Sequence, residues 1–136
     1  MIDKEQLGNL FNEAGKIANK AYSPYSKFRV GAALLCEDGT VITGVNVENR
    51  SFGLTVCAER NAIFAAVTKG HLRFKAIAIS TPDSPEPVGP CGACRQVMGE
   101  FMPAECSVIF GGSNSEQVIT TVGELLPFDS LHELRK

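Results

Sequence analysis

A short apolar run, residues 76–80, sits between two segments of helical character, and few folds accommodate that order. A strand without polar alternation is one covered on both faces. The helical segments around it are 57–69, stopped by Gly70 where a left-handed cap is wanted, and 91–101. A second strand follows at 107–110, and strand–helix–strand connections, here through both helical segments, are expected to make the strands they join parallel neighbours. Upstream, runs at 30–36 and 41–47 flank Glu37-Asp38-Gly39-Thr40, the Asp-Gly signal of a hairpin. Apolar side chains at three- and four-residue steps from Leu7 to Ala21 predict an amphipathic helix over 4–21, closed before Pro24. Downstream, Gly111-Gly112-Ser113-Asn114 reads as a turn before a strand at 117–121, and Thr121 with Glu124 matches a capping box. The sum is an α/β fold, a three-layer α/β/α sandwich around a mixed, mostly five-stranded sheet.

Length and charge narrow the function. At 136 residues the chain is expected to be one domain, 1–136, large enough to bury a core without staples. With 44% apolar and 21% charged residues it is not a disordered chain. Thirteen basic against fifteen acidic side chains, for a net charge of −2, give the wrong sign for binding polymeric nucleic acid. No stretch is apolar enough to span a membrane, and the polar start, Met1-Ile2-Asp3-Lys4-Glu5, is unlike a signal peptide, so a cytoplasmic location is expected. Five cysteines in a reducing compartment point to metal or catalysis wherever they cluster.

Three of them do. Cys91-Gly92-Ala93-Cys94, at a predicted helix start behind Pro90, puts two sulfurs one turn apart on one face. By itself this pair is equally a redox motif or two buried small hydrophobes. Cys57-Ala58-Glu59-Arg60, at another predicted helix start, adds a third sulfur with a carboxylate two residues on. Two such helix starts joined through a strand can converge at one end of a sheet. Structural zinc takes four protein ligands, whereas three thiolates leave a corner for water. His71 and His132 lie outside these motifs and are expected to be solvated surface residues.

Three thiolates around a divalent cation sum to −1, which would blunt a Lewis acid unless positive charge is returned. The helix N-termini and Arg60 are the available sources. Glu59 is then the expected proton carrier, its pKa raised among thiolates in a dry pocket. Its other reading, a first-turn glutamate serving the helix dipole, leaves the flanking cysteine unexplained.

A ligand-x-Glu followed by Pro-Cys-x-x-Cys is the signature of zinc deaminases acting on nucleobases. The chain closely resembles the small, all-cysteine cytidine deaminases, through Cys57-Ala58-Glu59-Arg60 and Pro90-Cys91-Gly92-Ala93-Cys94-Arg95-Gln96. The likeness extends to Pro24-Tyr25-Ser26-Lys27-Phe28, Val30-Gly31-Ala32-Ala33-Leu34, Asn46-Val47-Glu48-Asn49 and Glu124-Leu125-Leu126-Pro127. It implies one Zn2+ per subunit on Cys57, Cys91 and Cys94, proton transfer by Glu59, and relief of thiolate charge by Arg60. It further implies Asn46 and Glu48 against the ribose, Phe28 against the pyrimidine, and the backbone of Ala58 and Gly89 near the ring and its leaving amine. A homotetramer with sites at subunit interfaces is also implied.

The activity expected from the resemblance is hydrolysis of cytidine or 2′-deoxycytidine to the uridine product and ammonia, as in pyrimidine salvage. A carboxylate at Glu48 would repel a phosphate on the sugar, which favours a neutral nucleoside. The nearest rival is a blasticidin-type deaminase, which resembles the chain around zinc but has Tyr where Glu48 stands. The rival from another class is a structural zinc or redox module. Two positions depart from the family pattern: Ser130 stands where an aromatic usually reaches a neighbouring subunit, leaving Phe128 as its possible substitute, and Phe52 replaces a frequent tyrosine. Cys36 and Cys106 match no motif and are expected in strand cores.

Overall fold

The computed structural model describes residues 2–134. Helix α1, Lys4–Ala18, opens on an Asp3 cap whose carboxylate accepts from the Gln6 N–H, while Gln6 returns a bond to the Asp3 N–H. It stops at Ala18 rather than at residue 21, since the chain must turn there for Tyr22 to bridge Val47. Strands β1, Gly31–Cys36, and β2, Val41–Val45, form the expected hairpin over Asp38-Gly39, with Gly39 at φ +93°. Helix α2, Ala58–Thr68, β3, Phe74–Ser80, α3, Gly92–Phe101, β4, Ser107–Gly111, β5, Gln117–Thr121, and a last turn, α4, Val122–Leu125, complete the order. Only half of the second capping box forms. Thr121 Oγ1 accepts from the Glu124 N–H, but the Glu124 carboxylate turns to the hydroxyls of Thr120 and Thr121.

The sheet runs β2-β1-β3-β4-β5. Its one parallel pair is β3–β4, joined by the α3 crossover; β2 and β3, joined through α2, are not the parallel neighbours expected, because β1 takes the place between them and pairs antiparallel with both. Alternation along the strands divides the interior into two layers. Ala33, Ala76, Ala78 and Ile109 pack under Leu7, Leu10 and Ala14 of α1. Leu34, Ile77, Ile79 and Val108 face the opposite way, against Ala62, Ile63, Cys94 and Met98 of α2 and α3. The three layers predicted from the sequence are present. Two glycines set the spacing: a Cβ on Gly31 would lie 2.0 Å from the Ala14 carbonyl oxygen, and one on Gly44 would lie 2.5 Å from the Ala62 nitrogen. Both helices therefore rest directly on strand backbone. Cys36 ends β1 and is buried; Cys106 is buried just before β4, its sulfur bonded to the Phe74 carbonyl at 3.2 Å.

Candidate active site and metal centre

Helices α2 and α3 both follow strands and both begin at the same end of the sheet, where β3 and β4 finish. The crevice beyond the carboxyl ends of parallel strands is the usual ligand position in open α/β sheets. Cys57 and Cys91 are the N-caps of the two helices, in extended conformation, and Cys94 lies one turn into α3. Their sulfurs lie within 4.8 Å of one another, with Cys57–Cys91 at 3.8 Å and Cys91–Cys94 at 3.5 Å. A tetrahedral ion with thiolates at about 2.3 Å spaces its ligands roughly 3.8 Å apart, so this trio fits one zinc. Cys94 is buried while Cys91 is exposed, so the cluster has a closed side and an open one.

The electrostatics match that use. Arg60 Nη2 donates to Cys57 Sγ at 3.3 Å. The bond with Cys94, followed by donation from Arg60 and Cys91, brings the Cys57 thiol down to about 5 against the cost of burial. Cys94 moves upward, through its bond with Cys57 and its burial. Glu59 is 4% exposed, and burial, reinforced by the Cys57 thiolate, pushes its carboxyl above the usual range.

A cleft of about 410 Å3 opens onto this cluster. Glu59, Cys57, Cys91 and Gly89 line one part of it, and Phe28, Asn46, Glu48 and Ser26 another. Of the residues singled out from sequence, Cys94, Ala58, Arg60 and Phe128 do not line it, and Cys94 and Ala58 are fully buried. Phe128 sits at φ +55° with its ring fully exposed. Phe52, also exposed, packs edge-to-face on Tyr25 with ring centroids 6.1 Å apart. His71 is only partly exposed and faces Asp38, unlike the solvated residue expected; the side chain of His132 lies outside the described residues.

The polar wall is internally braced. Glu48 accepts from the Tyr25 and Ser26 N–H groups at 3.0 and 3.1 Å and from the Ser26 hydroxyl. The hydroxyl bond, with the two N–H groups, holds its carboxyl below the usual range despite desolvation. Asn46 accepts from the Val30 N–H at 2.9 Å and donates to the Phe28 carbonyl at 2.8 Å, fixing the segment that presents Phe28. Arg29 grips both oxygens of Asp83, Nη2 at 2.7 Å and Nε at 3.0 Å, and so ties that segment to the proline-rich loop carrying Val88 and Gly89. Asn61 donates to the Val45 carbonyl at 2.8 Å, and Arg95 to the Pro90 carbonyl at 2.8 Å, each anchoring a ligand-bearing helix to its own approach. Sequence reasoning missed Arg29, Asp83, Asn61 and the lining residues Thr55, Ile79, Thr81 and Val88. Only the last two had a local signal, since they belong to the loop leaving an apolar strand.

Residues 4–110 match the family model described as the cytidine and deoxycytidylate deaminase zinc-binding region. The chain is 52% identical over 118 residues to a cytidine deaminase of Halalkalibacterium halodurans, covering 87% of this chain and 89% of that protein. It is 38% identical over 109 residues to the blasticidin-S deaminase of Bacillus cereus, covering 75% and 76%. Among solved structures it is similar to the cytidine deaminase of Burkholderia pseudomallei, with a TM-score of 0.85 and 44% identity, over 89% of this chain and 96% of that one.

Proposed function

This chain belongs to the cytidine and deoxycytidylate deaminase family, and from that premise we propose that it hydrolyses cytidine and 2′-deoxycytidine to the corresponding uridine and ammonia. The observation that carries the proposal is the cleft itself, in which two members of a three-sulfur cluster and a buried carboxyl line one pocket with an aromatic ring, an amide and a second carboxylate. Cys57, Cys91 and Cys94 would hold the zinc. When bound there, zinc supplies Lewis acidity that brings the pKa of water toward neutrality. Glu59, buried and with an upward-shifted pKa, is suited to take a proton from the attacking water, deliver it to ring N3, and then carry the proton of the new C4 hydroxyl to the amine as the carbonyl forms and the C–N bond breaks. Arg60 draws charge from the Cys57 sulfur, countering the excess of three thiolates over a divalent ion. The N–H of Ala58 and the carbonyl of Gly89 are the backbone groups assigned to the pyrimidine and its amine.

Phe28 stacks on the ring in this proposal, and the opposite polar wall takes the sugar. A carboxylate has about four lone-pair sites. Ser26 and Tyr25 use three on Glu48, leaving one for a ribose hydroxyl. The same bonds keep Glu48 charged, so a phosphate on the sugar is disfavoured and a neutral nucleoside preferred to a nucleotide or a polynucleotide. Asn46 Nδ2 has a second hydrogen available to the sugar after serving the Phe28 carbonyl.

Residues 1–136 are taken as one catalytic domain that assembles as a homotetramer. Support comes from the surface: Phe52, Leu54, Phe128 and Leu134 are large, apolar and at least 65% exposed. Phe128 also carries the cost of a left-handed backbone for a bulky residue, which a neighbouring subunit's surface would offset by covering its ring. Among the described residues no helix is long and apolar enough to cross a membrane, and a cytoplasmic location is proposed with it.

Ammonia release from cytidine, deoxycytidine, cytosine and blasticidin S, with zinc counted in the same sample, tests the assignment. Turnover is expected on the two nucleosides only. Glu59→Gln keeps the zinc and loses several orders of magnitude in rate, roughly the share of the barrier assigned to proton transfer and charge development. A Glu59→Gln enzyme of near-normal turnover refutes the proton-transfer role, and preference for blasticidin S refutes the substrate assignment.

A further inference from the structure

At the opposite end of the sheet the same helix, α2, meets a second convergence of ligating side chains. Cys36 ends β1, Asp38 lies in the hairpin turn, and His71 follows the Gly70 turn that terminates the helix. One donor atom from each lies within 4.8 Å of the other two. The backbone brings the two segments together before any ligand is considered. The Glu37 N–H donates to the Arg73 carbonyl at 2.9 Å, Cys36 is in register with Phe74 beside an irregularity in the ladder, and the His71 N–H folds back onto the Ala66 carbonyl at 2.9 Å. A cleft of about 390 Å3, lined by Glu37, Asp38, Gly70, His71 and Arg73, opens over Asp38 and His71, while Cys36 is fully buried.

We propose that Cys36, Asp38 and His71 form a second metal site, independent of the catalytic cluster, for a borderline divalent cation of the zinc type. His71 Nδ1 faces Asp38 Oδ2 at 3.8 Å, beyond hydrogen-bonding distance yet near the roughly 3.3 Å that separates imidazole and carboxylate ligands on one tetrahedral ion. The other Asp38 oxygen is held by the Thr40 N–H at 3.0 Å, which orients Oδ2 toward the histidine. One thiolate and one carboxylate neutralise a divalent ion, so the site adds no net charge beside the core. The set contains sulfur, nitrogen and oxygen, which suits zinc, cobalt or cadmium and not magnesium or calcium. The ion would also lie off the C-terminal end of α2, where the helix dipole favours positive charge. With three protein ligands, its fourth position opens to the cleft. Occupancy would staple the β1–β2 turn to the end of α2, about 16 Å along the helix from the catalytic cysteines.

The test is zinc stoichiometry of the full-length protein equilibrated with excess Zn2+ and freed of unbound ion, for wild type, Asp38→Asn, His71→Ala and Cys36→Ser. Each variant is expected to hold one equivalent per chain fewer than wild type, with ammonia release from cytidine unchanged and the zinc-dependent rise in unfolding temperature reduced. With Cd2+ as the probe, Cys36→Ser loses the ultraviolet thiolate-to-cadmium absorption of one sulfur. Asp38 is exposed and His71 partly so, outside the core that holds Cys36, so their variants decide the matter even if Cys36→Ser does not fold. The same equivalents in wild type, Asp38→Asn and His71→Ala overturn the proposal. Because the measurement is a difference, it does not depend on how fully the three-cysteine cluster is loaded.

Discussion

Gly44 offers a direct way to move the catalytic machinery without touching it. It lies in β2 opposite Ala32, and a methyl group there would sit 2.5 Å from the Ala62 nitrogen, 2.7 Å from the Ala58 oxygen and 2.9 Å from the Ala62 Cα. All three are backbone atoms of α2, so no side-chain rotation relieves the contact. The helix start must retreat by roughly 1 Å, at a cost of about 1–3 kcal/mol typical of overpacking. Ala58 stands between Cys57 and Glu59, and its displacement carries the proposed zinc ligand and proton carrier away from Cys91 and Cys94, which are anchored separately on α3. A misplacement of this size costs about 100-fold where reacting groups must be aligned. Gly44→Ala is therefore expected to lower kcat for cytidine by about that factor, and to lower the unfolding temperature, while the purified protein remains folded. Steady-state kinetics, a thermal melt and zinc content are the measurements. A folded Gly44→Ala enzyme with wild-type Tm and kcat would show that α2 tolerates the shift, and that its seat on β2 does not set the site.

Gly8 is the matching control in α1, since a Cβ there meets nothing within 4 Å. Gly8→Ala is expected to stabilise the protein by about 0.5–1 kcal/mol with kcat unchanged, and a melt showing no gain refutes this. The Arg29–Asp83 pair predicts a pH dependence. Arg29 holds the Asp83 carboxyl down at about 2, so its stabilising contribution is complete above the unfolded value near 4 and disappears as pH falls through 2. Asp83→Asn should melt below wild type at pH 6, converge with it near pH 2, and raise KM for cytidine by loosening Phe28; parallel melting curves at both pH values sink the assignment.

The parts of the fold and site that could be read from sequence are those whose geometry is local. Two sulfurs three residues apart at a helix start must share a face, and apolar runs with turn residues between them must be strands. The layers and the Cys91–Cys94 pair follow from such rules. Insertion of β1 between β2 and β3 does not, because a single hairpin signal leaves the far edge of β1 undetermined. The end of α1 is equally non-local. Asn19, Lys20 and Ala21 are compatible with a helix, and the stop comes from the bridge between Tyr22 and Val47. Arg29 and Asp83 are separated by 54 residues, and neither belongs to a motif. His71, judged by its position after a helix-ending glycine, reads as a surface residue. What draws it toward Asp38 is the pairing of Cys36 with Phe74, which the chain acquires only when the sheet is complete. Helix α2 thus presents ligating chemistry beyond both ends, and the difference in legibility is physical: at its N-terminus cysteine and glutamate are fixed by a single turn of helix, whereas beyond its C-terminus the three donors meet only through strand register.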